Sequence, residues 1–441
     1  MPTFRSEPFL ELEARLAQRT ESLKPSGKRS GVSSWFPYYA GYAPSFVSDT
    51  LIGLGSKPGW KILDPWNGSG TTSSVADQFG CEVFGYDINP VATLVASARL
   101  IKLNDIACAS QLAHVLLTSA ITENVKINEL DPLLTWLSLK ATKCYRAIEL
   151  SILKMLGTKN GISINTSFQT ASPHASFFLL CLIKAAKLFA VLKDNSNPTW
   201  VSPQKKGRIK SGALESAFLE MVKQCTGDMI GENIVPSGTG EYAQSIKLRD
   251  SKCLPLADES IDAVITSPPY CTRIDYFRAT IFELAALGIS PDGQHYRELR
   301  SKAMGTNLVR IVATPNKTLL SQDVNSLIEN IRNHKSKASA TYYYKHYKQY
   351  FEDADSSLRE IHRVLKPGGS AILVVQSSYY KDLAVNLGDL FASMGAHIGF
   401  NSRVILKVPV RRVLASINPH ARRYANLRIY TEDVVALKKE F

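Results

Sequence analysis

Three clusters in this 441-residue chain bring together side chains that can do chemistry. The first is Thr266-Ser267-Pro268-Pro269-Tyr270. Two consecutive prolines fix the backbone and remove two N–H donors, which leaves carbonyls free to point into a pocket. The Ser267 hydroxyl and the Pro268 carbonyl can then hold the two hydrogens of an exocyclic amino group, and the Tyr270 ring can stack on a planar base. The same residues also suit a rigid strand-to-helix turn with a buried tyrosine. The second cluster is Asp64-Pro65-Trp66-Asn67-Gly68-Ser69-Gly70-Thr71-Thr72. Its glycines let backbone approach a ligand closely, and N–H groups at a helix start favour a carboxylate or phosphate. An ordinary tight turn reads the same way. Neither the G-x-G-x-x-G fingerprint nor the Gly-Lys-Ser/Thr of a phosphate-binding loop is present, which argues against NAD and ATP. The third is Asp87, within Gly85-Tyr86-Asp87-Ile88-Asn89-Pro90. An acid at that place can accept hydrogen bonds from both hydroxyls of a ribose, or it can cap the next helix.

These clusters need a scaffold, and the hydrophobic pattern supplies one. KILD (61–64) is a short apolar run, the following residues switch to helical spacing, and EVFGYD (82–87) is a second run. That is β-loop-α-β, the unit of a parallel sheet. Strands are expected again at SIDAVIT (260–266) and SAILVVQ (370–376). A helix over 350–365 stops at Pro367-Gly368-Gly369, and closing strands are expected over 404–410 and 427–438. The pattern divides the chain into a first half of the core (1–104), a mainly helical insertion (105–245) and a core segment with the Pro-Pro-Tyr cluster (246–288). A basic insertion (289–345) and the second half of the core (346–441) follow. The apolar stretch Phe177 to Leu192 is interrupted by Lys184 and Lys187 and reads as a buried amphipathic helix, not a membrane span.

Length and composition agree. Single cores stop growing at roughly 250–300 residues, so at least two structural units are expected. A hydrophobic share of 45% with 21% charged residues belongs to a folded protein and excludes a fibrous or largely disordered chain. The net charge of +13 points to a polyanionic partner. Seven cysteines without any C-x-x-C spacing argue against a disulfide scaffold and a zinc site, and fit a reducing cytoplasm. The N-terminal stretch has acids and no continuous apolar run, so it does not read as a secretory signal.

Taken together, Asp-Pro-x-x-Gly-Ser-Gly-Thr-Thr and Thr-Ser-Pro-Pro-Tyr resemble the S-adenosylmethionine-dependent DNA amino-methyltransferases, which methylate N4 of cytosine or N6 of adenine. The resemblance covers about 33–104, 246–288 and 350–440. Phe36 to Phe46 looks like the family's segment that closes over the methionine part of the cofactor, and Arg249-Asp250-Ser251 like the segment that meets the adenine. The less discriminating Arg363 to Gly369 is shared with many methyltransferases.

The resemblance implies a Rossmann-like α/β fold with a mixed, mostly parallel seven-stranded sheet. It implies that Gly68 and Gly70 hold the methionine end of S-adenosylmethionine, with Asp64 shaping the loop, and that Tyr39, Pro65, Ser69, Thr71 and Thr72 also belong to the cofactor site. Asp87 would bind the ribose and Asp250 the adenine, and Ile88, Ser251 and Ser267 would also belong to the cofactor site. Ser267, Pro268, Pro269 and Tyr270 would grip a base flipped from duplex DNA, and no metal is called for. Serine at the head of the cluster is more typical of N4-cytosine than of N6-adenine enzymes. The expectation is therefore a cytosine-N4 methyltransferase of a prokaryotic restriction–modification or defence system, beside a cognate restriction endonuclease acting on the same site. The alternatives are N6-adenine methylation, an RNA N2-guanine enzyme, and a non-catalytic nucleic-acid-binding protein with this fold.

A 5-methylcytosine mechanism through Cys271 is disfavoured because Tyr270 separates that cysteine from the prolines. DNA phosphate contacts are expected from Lys205, Lys206, Arg208 and Lys210, from Arg273, and from Arg411 and Arg412. The segment 295–348 carries a further +7, and Tyr343, Tyr347 and Tyr350 could stack on bases or pack in the core.

Overall fold

The computed structural model describes residues 9–19, 23, 31–36, 41–157, 172–193, 200–206, 209–231, 244–271, 275–306, 308–309, 320–410 and 428–441. Tyr39, Arg208, Arg273, Arg411 and Arg412 lie outside the described residues. Strands β1 (Lys61–Asp64) and β2 (Glu82–Asp87) are followed by a small hairpin of β3 (Val191–Leu192) and β4 (Pro203–Lys205). Then come β5 (Gln244–Leu248), β6 (Ile261–Thr266) and β7 (Leu365–Gln376). A second small hairpin, β8 (Ser378–Tyr380) with β9 (Leu383–Val385), precedes β10 (Phe400–Val410) and β11 (Tyr430–Lys439).

Seven of these strands form one sheet in the order β10-β11-β7-β6-β1-β2-β5. Pairing is parallel from β7 across to β5, and β11 is antiparallel to both of its neighbours. This is the Rossmann-like methyltransferase fold. The chain moves outward from β1 to β2 and β5, then returns to β6 on the other side of β1. Strand order therefore reverses between β1 and β6, and in open α/β sheets the crevice beyond the strands' C-terminal ends at that point is where ligands bind.

Alternation along the strands builds two cores. Leu63, Val264, Ala371, Leu373 and Val435 face helices Gln322–Arg332, Tyr344–Val364 and Leu387–Ile398. Ile62, Val83, Ala263, Ile265, Ile372 and Val434 face the other way, onto Leu10–Ala17, Pro44–Gly53 and Thr71–Gln78. Period-two side chains covered on both faces are what a parallel sheet requires.

A third core belongs to helices Ala109–Thr122, Leu139–Leu156, Pro173–Lys187 and Ala213–Gly231 packed on Pro90–Ala98 and Ile281–Ala286. The stretch expected as an amphipathic helix over 177–192 differs here. Its helix ends at Lys187, and from Ala175 to Ala186 every residue except Lys184 is buried. Helices surround it on several sides, so it has almost no solvent face to be amphipathic toward. No helix among the described residues is long and apolar enough to cross a membrane.

Arg146 fastens this helical body to the core. Its guanidinium donates to Asp131 at 2.8 and 2.9 Å and to Glu149 at 2.8 Å. It also donates to the carbonyls of Ala286 at 2.5 Å and Ala285 at 3.2 Å, the open end of helix Ile281–Ala286. Lys187 reaches Glu283 of the same helix at 2.5 Å.

Candidate active site

The site is built at the ends of β1, β2, β5 and β6. β1 ends in Asp64, which is buried and accepts the Thr266 hydroxyl at 2.5 Å, the Trp66 N–H at 3.1 Å and the Tyr42 hydroxyl at 3.2 Å. Tyr42 is also hydrogen-bonded to Thr72, which donates to the Ile265 carbonyl at 3.0 Å. The turn that follows has Gly68 and Gly70 at positive φ (48° and 82°). A Cβ on Gly70 would stand 2.7 Å from that of Ala96, so glycine is required there by close packing as well as by conformation. Buried Arg99 braces the turn by donating to the Ser69 carbonyl at 2.6 Å and to its hydroxyl at 3.1 Å.

Asp87 ends β2. Its two oxygens accept the Gly68 N–H at 2.9 Å and the Asn89 N–H at 2.8 Å, which ties the glycine turn to the next strand. The cap of helix Pro90–Ala98 is Asn89, which accepts the Val91 N–H at 3.0 Å. The carboxyl group of Asp87 is thus left at the wall of the crevice. Beyond β5, Asp250 accepts the Lys252 N–H at 3.1 Å and has the Lys252 ammonium at 3.4 Å. That ammonium also meets Asp353 at 3.2 Å, and Ser251 is bonded to Ser357 at 2.8 Å.

The Pro-Pro-Tyr cluster leaves β6. Ser267 donates its hydroxyl proton to the Val374 carbonyl on β7 at 2.8 Å, and Tyr350 donates to the Pro269 carbonyl at 2.9 Å. Gly305 comes so near that a Cβ there would be 2.8 Å from the Tyr270 carbonyl. Tyr270 is half-buried, and burial with the nearby Glu432 charge pushes its hydroxyl pKa up. Cys271 is buried in the second core, where desolvation raises its thiol pKa, the reverse of what a nucleophile needs.

These elements line an open crevice. Asp64, Pro65, Gly68, Ser69, Thr71, Asp87, Ile88, Asp250, Ser251, Ser267 and Pro269 line it. Gly70, Thr72 and Pro268 are not on its wall. A smaller recess adjoins it, with Tyr270 on its wall, and the two share Gly41, Tyr42 and Ser267. Sequence reasoning missed Tyr42, Asn67, Asn89, Lys252, Met304 and Asp353, all on the crevice wall. Tyr42 had a signal, since it lies in the Phe36 to Phe46 segment.

Lys205, Lys206 and Lys210 are exposed. The Arg278 guanidinium lies 5.4 Å over the Trp200 ring, which brings segment 200–206 beside helix Tyr276–Ala279, just after the Pro-Pro-Tyr cluster. Tyr347 and Tyr350 are core residues, while Tyr343 is half-buried at its edge.

Desolvation pushes both Asp64 and Asp87 up to about 6, outweighing the hydrogen bonds that lower them. Each therefore contributes stability that is complete below its unfolded value near 3.8 and is lost as pH rises through about 6. The melting-temperature gap between the protein and an Asp64→Asn variant, which cannot titrate, is expected to widen as pH falls from about 7 to 4. A gap that narrows over that window means that hydrogen bonding, not burial, governs the acid.

No family model matches the chain. The Type II methyltransferase M.AvaI of Nostoc sp. is 24% identical over 424 residues, spanning 90% of this chain and 85% of that protein. The Type II methyltransferase M.BsoBI of Geobacillus stearothermophilus is 24% identical over 302 residues, 62% of this chain and 56% of that one. The chain is similar to Type II methyltransferases. That likeness supports methyl transfer as its activity. The solved rRNA methyltransferase of Streptomyces viridochromogenes, 10% identical and covering 96% of this chain and 94% of its own, gives a TM-score of 0.30. The fold is carried by the strand order instead.

Proposed function

We propose that the chain is an S-adenosylmethionine-dependent DNA methyltransferase that methylates N4 of a cytosine flipped from duplex DNA, as the modification half of a restriction–modification system. The observation that carries this reading is the meeting of the two cavities at Ser267. One is the crevice lined by Asp64, Gly68, Asp87 and Asp250, and the other is a recess beside Tyr270, with Ser267 on the wall of both.

The donors present fit the cofactor. A carboxylate accepts about four hydrogen bonds. Asp87 accepts the Gly68 and Asn89 N–H groups on its two oxygens, and in this reading its remaining acceptor capacity takes the ribose hydroxyls. Asp250, at the far end, offers an acceptor to an adenine amino group, and the Gly68–Ser69 turn suits the methionine end. S-adenosylmethionine, when bound, supplies a methyl group on a positively charged sulfur.

The chain's own residues position the acceptor. Because the Ser267 proton is held by Val374, the serine oxygen presents lone pairs and accepts an N–H of the target amino group. In this reading the Pro268 carbonyl accepts the second N–H and Tyr270 stacks on the base. Both contacts build electron density on the nitrogen, and catalysis is mainly positioning. Flipping costs a few kcal/mol, and in this reading the exposed Lys205, Lys206 and Lys210 contribute phosphate contacts toward it. Arg208, Arg273, Arg411 and Arg412 complete the proposed DNA-contacting set, and a cognate endonuclease is the proposed functional partner.

Two measurements test the reading. S-adenosylhomocysteine is expected to raise the melting temperature of the purified protein, and DNA from cells expressing it is expected to contain N4-methylcytosine by mass spectrometry. Only N6-methyladenine would overturn the choice of base, and no melting shift would overturn the enzyme.

A further inference from the structure

The recess beside Ser267 has apolar walls from Leu23, Val374 and Val375, the hydroxyl-bearing Tyr42, Ser267 and Tyr270, and an amide and a carboxylate, Gln376 and Glu432. Glu432 on β11 is the direct cross-strand partner of Gln376 on β7, so both side chains leave the same face of the sheet. Glu432 is 3% exposed. An amide and a carboxylate set side by side at the wall of a recess are suited to read hydrogen-bonding groups.

Resting on the function proposed above, we infer that Gln376 and Glu432 form an edge that selects a pyrimidine carrying an amino group and rejects adenine. With the amino hydrogens taken by Ser267 and Pro268, the remaining edge of cytosine presents two acceptors, N3 and O2. Adenine presents N1 and then a carbon-bound hydrogen. Gln376 is the specificity residue, its amide N–H donating to this acceptor edge. Glu432 is a positioning residue: it accepts one amide hydrogen of Gln376 and so turns the NH2 group, not the carbonyl, toward the base. An amide facing adenine's C–H is left without an acceptor, which is how a polar site rejects a ligand lacking the matching group.

The test uses the full-length protein, S-adenosylmethionine and plasmid DNA from a methylation-deficient host, with both methylated bases quantified. Gln376→Met keeps the side chain's shape without its donors. It is expected to lower N4-methylcytosine formation at least tenfold and to raise the proportion of N6-methyladenine, with the melting shift on S-adenosylhomocysteine unchanged. Glu432→Gln is expected to move the base ratio the same way, with a fall in kcat and no change in KM for S-adenosylmethionine. An unchanged base ratio in both variants, at wild-type or lowered activity, overturns the inference and leaves the methyltransferase reading standing. N6-methyladenine as the wild-type product overturns the choice of base and this inference together.

Discussion

Asp87→Ala is expected to weaken S-adenosylhomocysteine binding by at least a thousandfold, about 4 kcal/mol, in a chain that still folds. The loss has two parts. The carboxylate oxygens hold the Gly68 and Asn89 N–H groups at 2.9 and 2.8 Å, and bonds of this kind to a charged acceptor contribute about 1.5–3 kcal/mol each. Without them the glycine turn is no longer tied to β2. The proposed ribose contacts disappear as well. Stability falls by less than those bonds suggest, because burial already raises the Asp87 pKa to about 6 and its removal relieves that desolvation. Titration calorimetry checks the effect, with Asp87→Asn intermediate because it keeps one acceptor oxygen. Affinity within tenfold of wild type for the alanine variant would remove Asp87 from the cofactor site.

Arg146→Ala is expected to lower unfolding free energy by about 3–5 kcal/mol, the usual cost of removing one partner from a buried ion pair. Asp131 and Glu149 would lose a guanidinium that is itself only 7% exposed, and the carbonyls of Ala285 and Ala286 would lose their donor. Replacing all three charged residues by apolar ones of similar size (Arg146→Met, Asp131→Leu, Glu149→Met) is expected to recover part of the loss, since no charge is then left buried. Denaturant unfolding distinguishes the two. A loss under about 1 kcal/mol for Arg146→Ala means the network is solvated in solution.

Much of the site's wall was legible because the chemistry is written in contiguous runs. Asp64 to Thr72 and Ser267 to Tyr270 each follow a strand, so the turn residues identify themselves by composition and position. Asp87 and Asp250 also stand immediately beyond strands. Lys252, Asp353 and Met304 have no such local mark. Lys252 and Asp353 meet only because helix Tyr344–Val364 packs beside β6 and β7, about 100 residues of chain after the lysine. Met304 is brought in by a loop whose approach to Tyr270 no periodicity reveals. The helix expected over 177–192 is buried, as the sequence indicates, but its solvent face is smaller than an amphipathic helix has: Lys184 and Lys187 fall in its final turn, and the rest is enclosed by neighbours that sequence alone does not count. For Tyr347 and Tyr350, spacing left stacking and packing equal, and burial against β7 and its helices decides for packing.

The register of β2 against β5 has a consequence for how the molecule assembles. Asp87 stands opposite Leu248, about 160 residues later in the chain. Loop closure over that span is entropically slow, and folding rates fall as contacts become less local. The helices between 109 and 231 meet through much shorter separations and can dock before the sheet closes. Closure of the gap between Asp87 and Asp250 is therefore expected to follow docking of the intervening helices, and a ligand bridging it would act as a latch on the edge strand β5.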